Sequence, residues 1–167
     1  MSDIHVSAGG WLSLPGLRFP CALGRGGVTR DKSEGDGATP AGRWPLRALY
    51  YRADRLAAPR TRLPTSAIGR DWGWCDDPAH PDYNRRVLLP HPARCEALWR
   101  ADALYDLVVA LGYNDSPVTP GKGSAIFLHA ARPNLTPTEG CVALERGDLQ
   151  AVIAQAGPGD ALIVAAR

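Results

Sequence analysis

In the stretch GSAIFLHAARPNLTPTEGCVAL, Gly123 to Leu144, an apolar run ends in His129 and a polar loop ends in the pair Gly140-Cys141. A cysteine attacks as its thiolate, so a catalytic one needs a base or a positive partner, together with access to substrate. His129 can be that base if a strand holds it and the loop AARPNLTPTE swings the chain back until Cys141 faces it. Glycine before the cysteine lets substrate approach the backbone, and the Gly140 and Cys141 amides then become candidates to meet a developing oxyanion. These groups together suit acyl transfer. Spacing alone leaves a plainer reading open, because a buried cysteine also serves as a small hydrophobe and a histidine near it in sequence need not touch it.

The elements that must position these residues come from composition and pattern. The chain has 167 residues, 45% of them hydrophobic, which suits one domain over 1–167 with one core. Lys and Arg number 19 against 17 Asp and Glu, and a net charge of +2 gives no reason to expect a nucleic acid or a membrane surface as partner. The N-terminus MSDIHVSAGGWLSLPG lacks a basic segment followed by an apolar one. No later run approaches the roughly 18 apolar residues of a membrane span. The expected location is therefore cytoplasmic, or periplasmic if a signal peptide has been removed. Cys21, Cys75, Cys95 and Cys141 show no close pairing, so free thiols are expected.

The 18 Gly and 15 Pro punctuate many short segments, as in a strand-rich domain. Strands are expected over Ile4 to Ala8, Trp11 to Leu14, Phe19 to Gly24, Trp44 to Tyr51, Arg86 to Leu89, Ser124 to His129 and Ala161 to Ala165, the first two joined by a tight Gly9-Gly10 turn. In GDLQAVIAQAGPG, Leu149, Val152, Ile153 and Ala156 follow helical spacing, with Asp148 as the expected N-cap and Gly157-Pro158 as the stop. In DALYDLVVALGYN, Leu104, Leu107, Val108 and Leu111 fit a helix, while the Val-Val step fits a buried strand; periodicity does not decide. The polar, Gly-rich segment Gly26 to Gly42 is longer than an ordinary connection, and we expect a long loop near the site.

The block HAARPNLTPTEGC, preceded by GSAIF, resembles the catalytic signature of the L,D-transpeptidase family with the YkuD-type domain. In that signature a histidine is followed by Ser or Thr, one residue, then Gly-Cys; Thr138, Glu139, Gly140 and Cys141 match. DKSEGDGATPAGRWPL resembles the family's Gly-rich segment ending in Thr-Pro-x-Gly, and WGWCDDPAHPDYNRRV resembles the aromatic-acidic region of one branch. The three blocks stand in the family's order and cover most of Gly24 to Leu144.

The resemblance, to a branch without an export signal, implies a mostly β fold, a twisted mixed β-sandwich with a few short helices. The cysteine is expected on a strand near the mouth of a cleft, and Leu104 to Asn114 becomes a strand. Cys141 is then the nucleophile that takes an acyl group from a peptidoglycan stem tetrapeptide, cutting between the third residue and the terminal D-alanine. His129 activates it and protonates the leaving amine, a backbone carbonyl orients the histidine, and no cofactor is implied. Water as acceptor makes the enzyme an L,D-carboxypeptidase of muropeptide recycling. The alternative is a periplasmic transpeptidase that forms cross-links or exchanges D-amino acids; a lesser one is an inactive domain that binds wall fragments. The partners are stem peptides or muropeptides, and the expected state is a monomer.

Two departures from the family pattern stand out. Many members carry His before Gly-Cys and Arg or Asn shortly after it, where this chain has Glu139 and then Val142, Ala143 and Leu144. Arg132 is the nearest candidate to bind a substrate carboxylate, and Thr138, Tyr83 and Asn84 are further candidates for the cleft. Asp76, Asp77, His80, Asp82, His91 and Cys95 show no zinc-motif spacing, so no metal is expected, and Cys75 reads as a packed structural cysteine. Papain-type and NlpC-type peptidases place Cys before His, the reverse of the order here. A sortase needs an arginine on a strand soon after the cysteine, whereas Arg146 is expected in a turn before a helix.

Overall fold

The computed structural model describes residues 2–167. Among them, fourteen strands run in chain order: β1 (Ile4–Ser7), β2 (Trp11–Leu14), β3 (Leu17–Pro20), β4 (Val28–Thr29), β5 (Thr39–Pro40), β6 (Gly42–Tyr51), β7 (Thr65–Ala67), β8 (Trp72–Cys75), β9 (Arg86–Leu88), β10 (Cys95–Ala97), β11 (Leu107–Leu111), β12 (Phe127–Ala130), β13 (Val142–Leu144) and β14 (Ala161–Val164). One α-helix, α1 (Arg146–Gln155), and a 3-10 turn at Pro133–Leu135 complete the described elements. The fold is mostly β, as expected, with a single α-helix where several short ones were anticipated.

A nine-stranded mixed sheet in the order β13-β12-β11-β6-β14-β1-β2-β3, with β7 added beside β6, forms the body. Side chains alternate across a strand, so each strand feeds both faces of this sheet. In β11, Leu107, Val109 and Leu111 join one core together with Leu149, Val152 and Ile153 of α1. Val108 and Ala110 join a second core with Trp72 and Trp74 of β8. A strand buried on both faces carries an unbroken apolar run, which is why periodicity could not separate strand from helix there. The second face is covered by the small sheet β10-β8-β9. Its tryptophans pack edge-on, Trp74 against Phe127 at 5.0 Å and Trp72 against Tyr50 at 5.3 Å between ring centroids.

Several boundaries differ from the sequence expectation. The strand expected over Phe19 to Gly24 is β3, which ends at Pro20; Ala22 and Gly24 instead make isolated bridges to Ala143 and Thr138. Ser124 to Ile126 precede the ladder of β12 rather than belonging to it, because Ala125 takes a positive φ of 53°. In α1 the N-cap is Glu145, and Asp148 lies in the first turn, where its carboxylate still faces the positive end of the helix dipole. The Gly26 to Gly42 segment is a loop stitched by two short parallel strands, Val28 opposite Thr39 and Thr29 opposite Pro40. No described helix is long and apolar enough to cross a membrane.

Candidate active site

β12 and β13 run parallel with Leu128 opposite Val142 and His129 opposite Ala143. Period-two alternation then puts Phe127, His129, Cys141 and Ala143 on one face and Leu128, Ala130, Val142 and Leu144 on the other. His129 and Cys141 therefore share the face that carries the second core, and both line one cleft of about 330 Å³. They are 4% and 8% exposed, so each meets solvent only through that cleft.

The turn that delivers Cys141 is held from inside. The Thr138 hydroxyl donates to the Cys141 carbonyl at 2.7 Å and accepts from the Gly140 N–H at 3.0 Å. Thr138 is itself tied into the bridge with residues 23–25, its N–H donating to the Leu23 carbonyl and its carbonyl accepting from the Arg25 N–H. Gly140 has a φ of 140°, and a Cβ there would sit 2.9 Å from the Ala38 carbonyl. Only glycine fits. The Gly140 amide, expected to face an oxyanion, is thus spent on Thr138. The Cys141 N–H has no acceptor among the described residues.

The thiol is gripped on both sides. Cys141 Sγ donates to the Ala125 carbonyl at 3.2 Å and accepts from the Phe127 N–H at 3.3 Å. The Ala125 N–H donates to Asn84 Oδ1 at 3.0 Å, and Asn84 also takes Trp74 Nε1–H and donates to the Tyr113 and Asn114 carbonyls. The Tyr83 hydroxyl accepts from the Gly123 N–H at 3.0 Å. Tyr83 and Asn84 were expected in the cleft; the structure buries them behind it. There they shape Gly123 to Ala125, and so hold the carbonyl that receives the thiol. Thr138 likewise lines the cleft with its hydroxyl already committed to the turn.

His129 Nδ1 lies 2.7 Å from the Ala130 carbonyl. A carbonyl only accepts, so Nδ1 carries the proton and Nε2 keeps its lone pair. This is the backbone orientation the resemblance implied. The ring packs edge-on against Tyr105 at 5.3 Å, and Tyr105 does the same to Phe127 at 5.7 Å. Burial lowers His129 to about 4, with the neighbouring cations Arg100 and Arg132 adding to the fall and the Ala130 carbonyl opposing it. Burial also pushes the Cys141 thiol up to about 12, reinforced by the Glu96 charge and opposed by the Phe127 N–H and Lys32. At neutral pH both groups are uncharged.

Sequence reasoning did not find Tyr105, Glu96 or Arg100, all of which line the cleft. The Tyr105 hydroxyl donates to Glu96. Burial raises the Glu96 carboxyl, and burial together with the Glu96 charge raises the Tyr105 hydroxyl well above its usual value. No local spacing connects these residues to His129; Glu96 arrives on β10, while Tyr105 lies just before β11, whose Val108 is opposite His129. Among the cleft cations, Arg94 pairs with Asp76 at 3.0 Å and Arg100 pairs with Asp102 at 2.7 Å. Arg132, exposed on the rim, forms no ion pair among the described residues. Glu139, beside Cys141, pairs outward with Arg25 at 3.0 Å.

A thiol raised this far stays protonated until high pH, so its reactive fraction grows with each step in pH. Alkylation of Cys141 by iodoacetamide, followed by peptide mapping, should rise by about tenfold per pH unit from about pH 6 to about pH 9 with no plateau. A plateau near neutrality would mean that the resting site already holds a thiolate.

The family model for the L,D-transpeptidase catalytic domain, YkuD, matches residues 12–164. No curated protein matches the chain. Similar solved structures include an L,D-transpeptidase from Mycobacterium smegmatis, at 12% identity and a TM-score of 0.49 over 99% of this chain and 58% of that one. L,D-transpeptidase 3 from Mycobacterium tuberculosis, at 1.32 Å resolution, has 14% identity and a TM-score of 0.45 over 99% of this chain and 61% of that one. The same protein with a faropenem-derived adduct has 14% identity and a TM-score of 0.44 over 99% of this chain and 60% of that one. The chain thus spans about three-fifths of the length of these structures. From its match over nearly its whole length, the chain belongs to the L,D-transpeptidase catalytic domain family.

Proposed function

We propose that the protein cleaves the bond between the third residue and the terminal D-alanine of peptidoglycan stem tetrapeptides, through a thioester on Cys141, with water as acceptor. The observation that carries this reading is the opening of His129, on β12, and Cys141, immediately before the adjacent parallel strand β13, into one cleft. Because both groups rest neutral, attack and proton transfer occur together. Cys141 Sγ adds to the substrate carbonyl as its proton passes to His129 Nε2, and the oxyanion meets the Cys141 N–H. His129 then gives the proton to the departing amine, D-alanine leaves and the thioester remains. Water attacks the thioester with His129 as base, and the tripeptide leaves as the thiol is restored.

Water is favoured as acceptor by the three residues after the nucleophile. Val142, Ala143 and Leu144 are apolar and fully buried, so that strand offers no polar side chain to hold a second peptide. The substrates in this reading are soluble muropeptides, and the enzyme serves cell-wall recycling in the cytoplasm. Arg132 is the cation left to receive the substrate's terminal carboxylate, since Arg94 and Arg100 already hold acids.

With a disaccharide tetrapeptide as substrate, mass spectrometry should show tripeptide as the main product even when a D-amino acid or a second stem peptide is added. Predominant exchanged or dimeric products would make the enzyme a transpeptidase instead. Cys141→Ser should abolish turnover with the melting curve unchanged, and His129→Ala should slow it by at least about 100-fold. Near wild-type activity in either variant would remove the proposed chemistry. Arg132→Ala should raise KM with kcat largely kept, and substrate ending in an amide should erase the difference from wild type. A difference that persists on the amide would exclude the carboxylate contact.

A further inference from the structure

The three-stranded sheet beside the cleft holds a second group of reactive side chains. Cys75 in β8 and Cys95 in β10 are directly opposite each other in antiparallel register, and both are free thiols. The β9–β10 connection brings His91 to them. The ligand atoms of Cys75, His91 and Cys95 all lie within 4.8 Å of one another. A second trio, His80, Asp82 and His91, meets the same criterion and shares His91. Along the chain these residues show no familiar pattern apart from the short step from His91 to Cys95; the convergence comes from strand register and from two loops folded onto one sheet.

We infer that Cys75, His91 and Cys95 form a structural zinc site. Two thiolates and an imidazole are the soft and borderline donors that Zn²⁺ takes in tetrahedral sites at about 2.0–2.3 Å, so the trio needs only to contract around the ion. Binding releases the two thiol protons to solvent, and the two thiolate charges neutralise the dication. A neutral centre of this kind can stand where Cys75 is wholly buried.

The surroundings of His91 fit a ligand. Asp82 Oδ2 lies 3.0 Å from His91 Nε2, and the Ala93 N–H donates to Nδ1 at 3.1 Å. Nε2 therefore carries the proton and Nδ1 the lone pair, which gives up the Ala93 N–H when it turns to a metal. A carboxylate holding one imidazole nitrogen while a metal takes the other is the usual support of a metal-bound histidine. The Cys95 thiol has the Ala93 carbonyl as its acceptor, at 3.4 Å, and gives up that contact when it loses its proton. The fourth ligand is water, since Asp82 is engaged on His91 Nε2.

The position gives the site its role. Asp76 follows Cys75, Arg94 precedes Cys95 and Glu96 follows it, and all three line the cleft. A metal joining β8, β10 and the His91 loop pins that wall of the active site without touching the reacting atoms.

Zinc content is measured on untagged wild-type protein purified without chelator. After reduction with a phosphine, metal-free protein is titrated with Co²⁺. One zinc per chain is expected, and one Co²⁺ should bind with thiolate-to-cobalt charge-transfer absorption. Metal should protect Cys95, the more accessible of the two thiols, from alkylation, and chelator should remove that protection. Cys95→Ser and His91→Gln should lose the metal, and Cys21→Ser should keep it. Reduced wild-type protein that takes up neither ion overturns the site, as does cobalt binding without thiolate absorption or metal retained in both ligand variants. The wild-type measurements decide the matter even if a ligand variant does not fold.

Discussion

The site depends on one register, that of β12 against β13, with Leu128 opposite Val142. Slipping this pairing by a single residue would send either His129 or Cys141 to the face occupied by α1, because side chains alternate with a period of two. The register is protected by the packing on the other face. Leu128, Ala130, Val142 and Leu144 are packed against Leu149, Val152 and Ile153 of the helix, and turning any of them into the cleft would expose apolar surface. The turn before β13 adds a second lock, since Gly140 lies against the Ala38 carbonyl and Thr138 bonds both Gly140 and Cys141. The placement of His129 and Cys141 in one cleft is a by-product of core packing.

The same burial sets the chemistry. Desolvation disfavours charge on both His129 and Cys141, so the resting pair is a neutral imidazole and a neutral thiol rather than an ion pair. The proton each group carries is nonetheless held in place. The thiol rests on the Ala125 carbonyl, and Nδ1 rests on the Ala130 carbonyl. Asn84, with its Oδ1 on the Ala125 N–H, keeps the first of these carbonyls in place from behind the cleft. The imidazole tautomer is therefore settled at rest, whereas the thiol proton has to leave the Ala125 carbonyl before it can pass to His129 Nε2.

How much of this is legible in the sequence depends on which forces are local. His129, Gly140 and Cys141 are visible because their order and spacing sit within one short block, and the family match over residues 12–164 agrees with that block. The amphipathic stripe of α1 is visible because helical spacing is local, while its N-cap is Glu145 rather than the expected Asp148, since backbone geometry decides a cap. β11 is ambiguous because both of its faces are buried. Tyr83 and Asn84 are expected in the cleft on their polarity, yet their hydrogen bonds are satisfied by backbone from distant segments. Glu96, Tyr105 and the meeting of Cys75 with Cys95 depend on pairings between strands far apart in sequence, β10 with β8 and β11 with β12, and no local pattern encodes those.

The central claim is that Cys141 carries the acyl group. Its most direct test is to mix the enzyme with stem tetrapeptide, quench with acid during turnover and map the peptides by mass spectrometry. The expected product is a tripeptide acyl group, joined through its third residue, on the peptide that contains Cys141. Cys21, Cys75 and Cys95 should stay unmodified, and the adduct should be lost on treatment with hydroxylamine, as a thioester requires. Turnover with no adduct on Cys141, or with the acyl group on another cysteine, would contradict it.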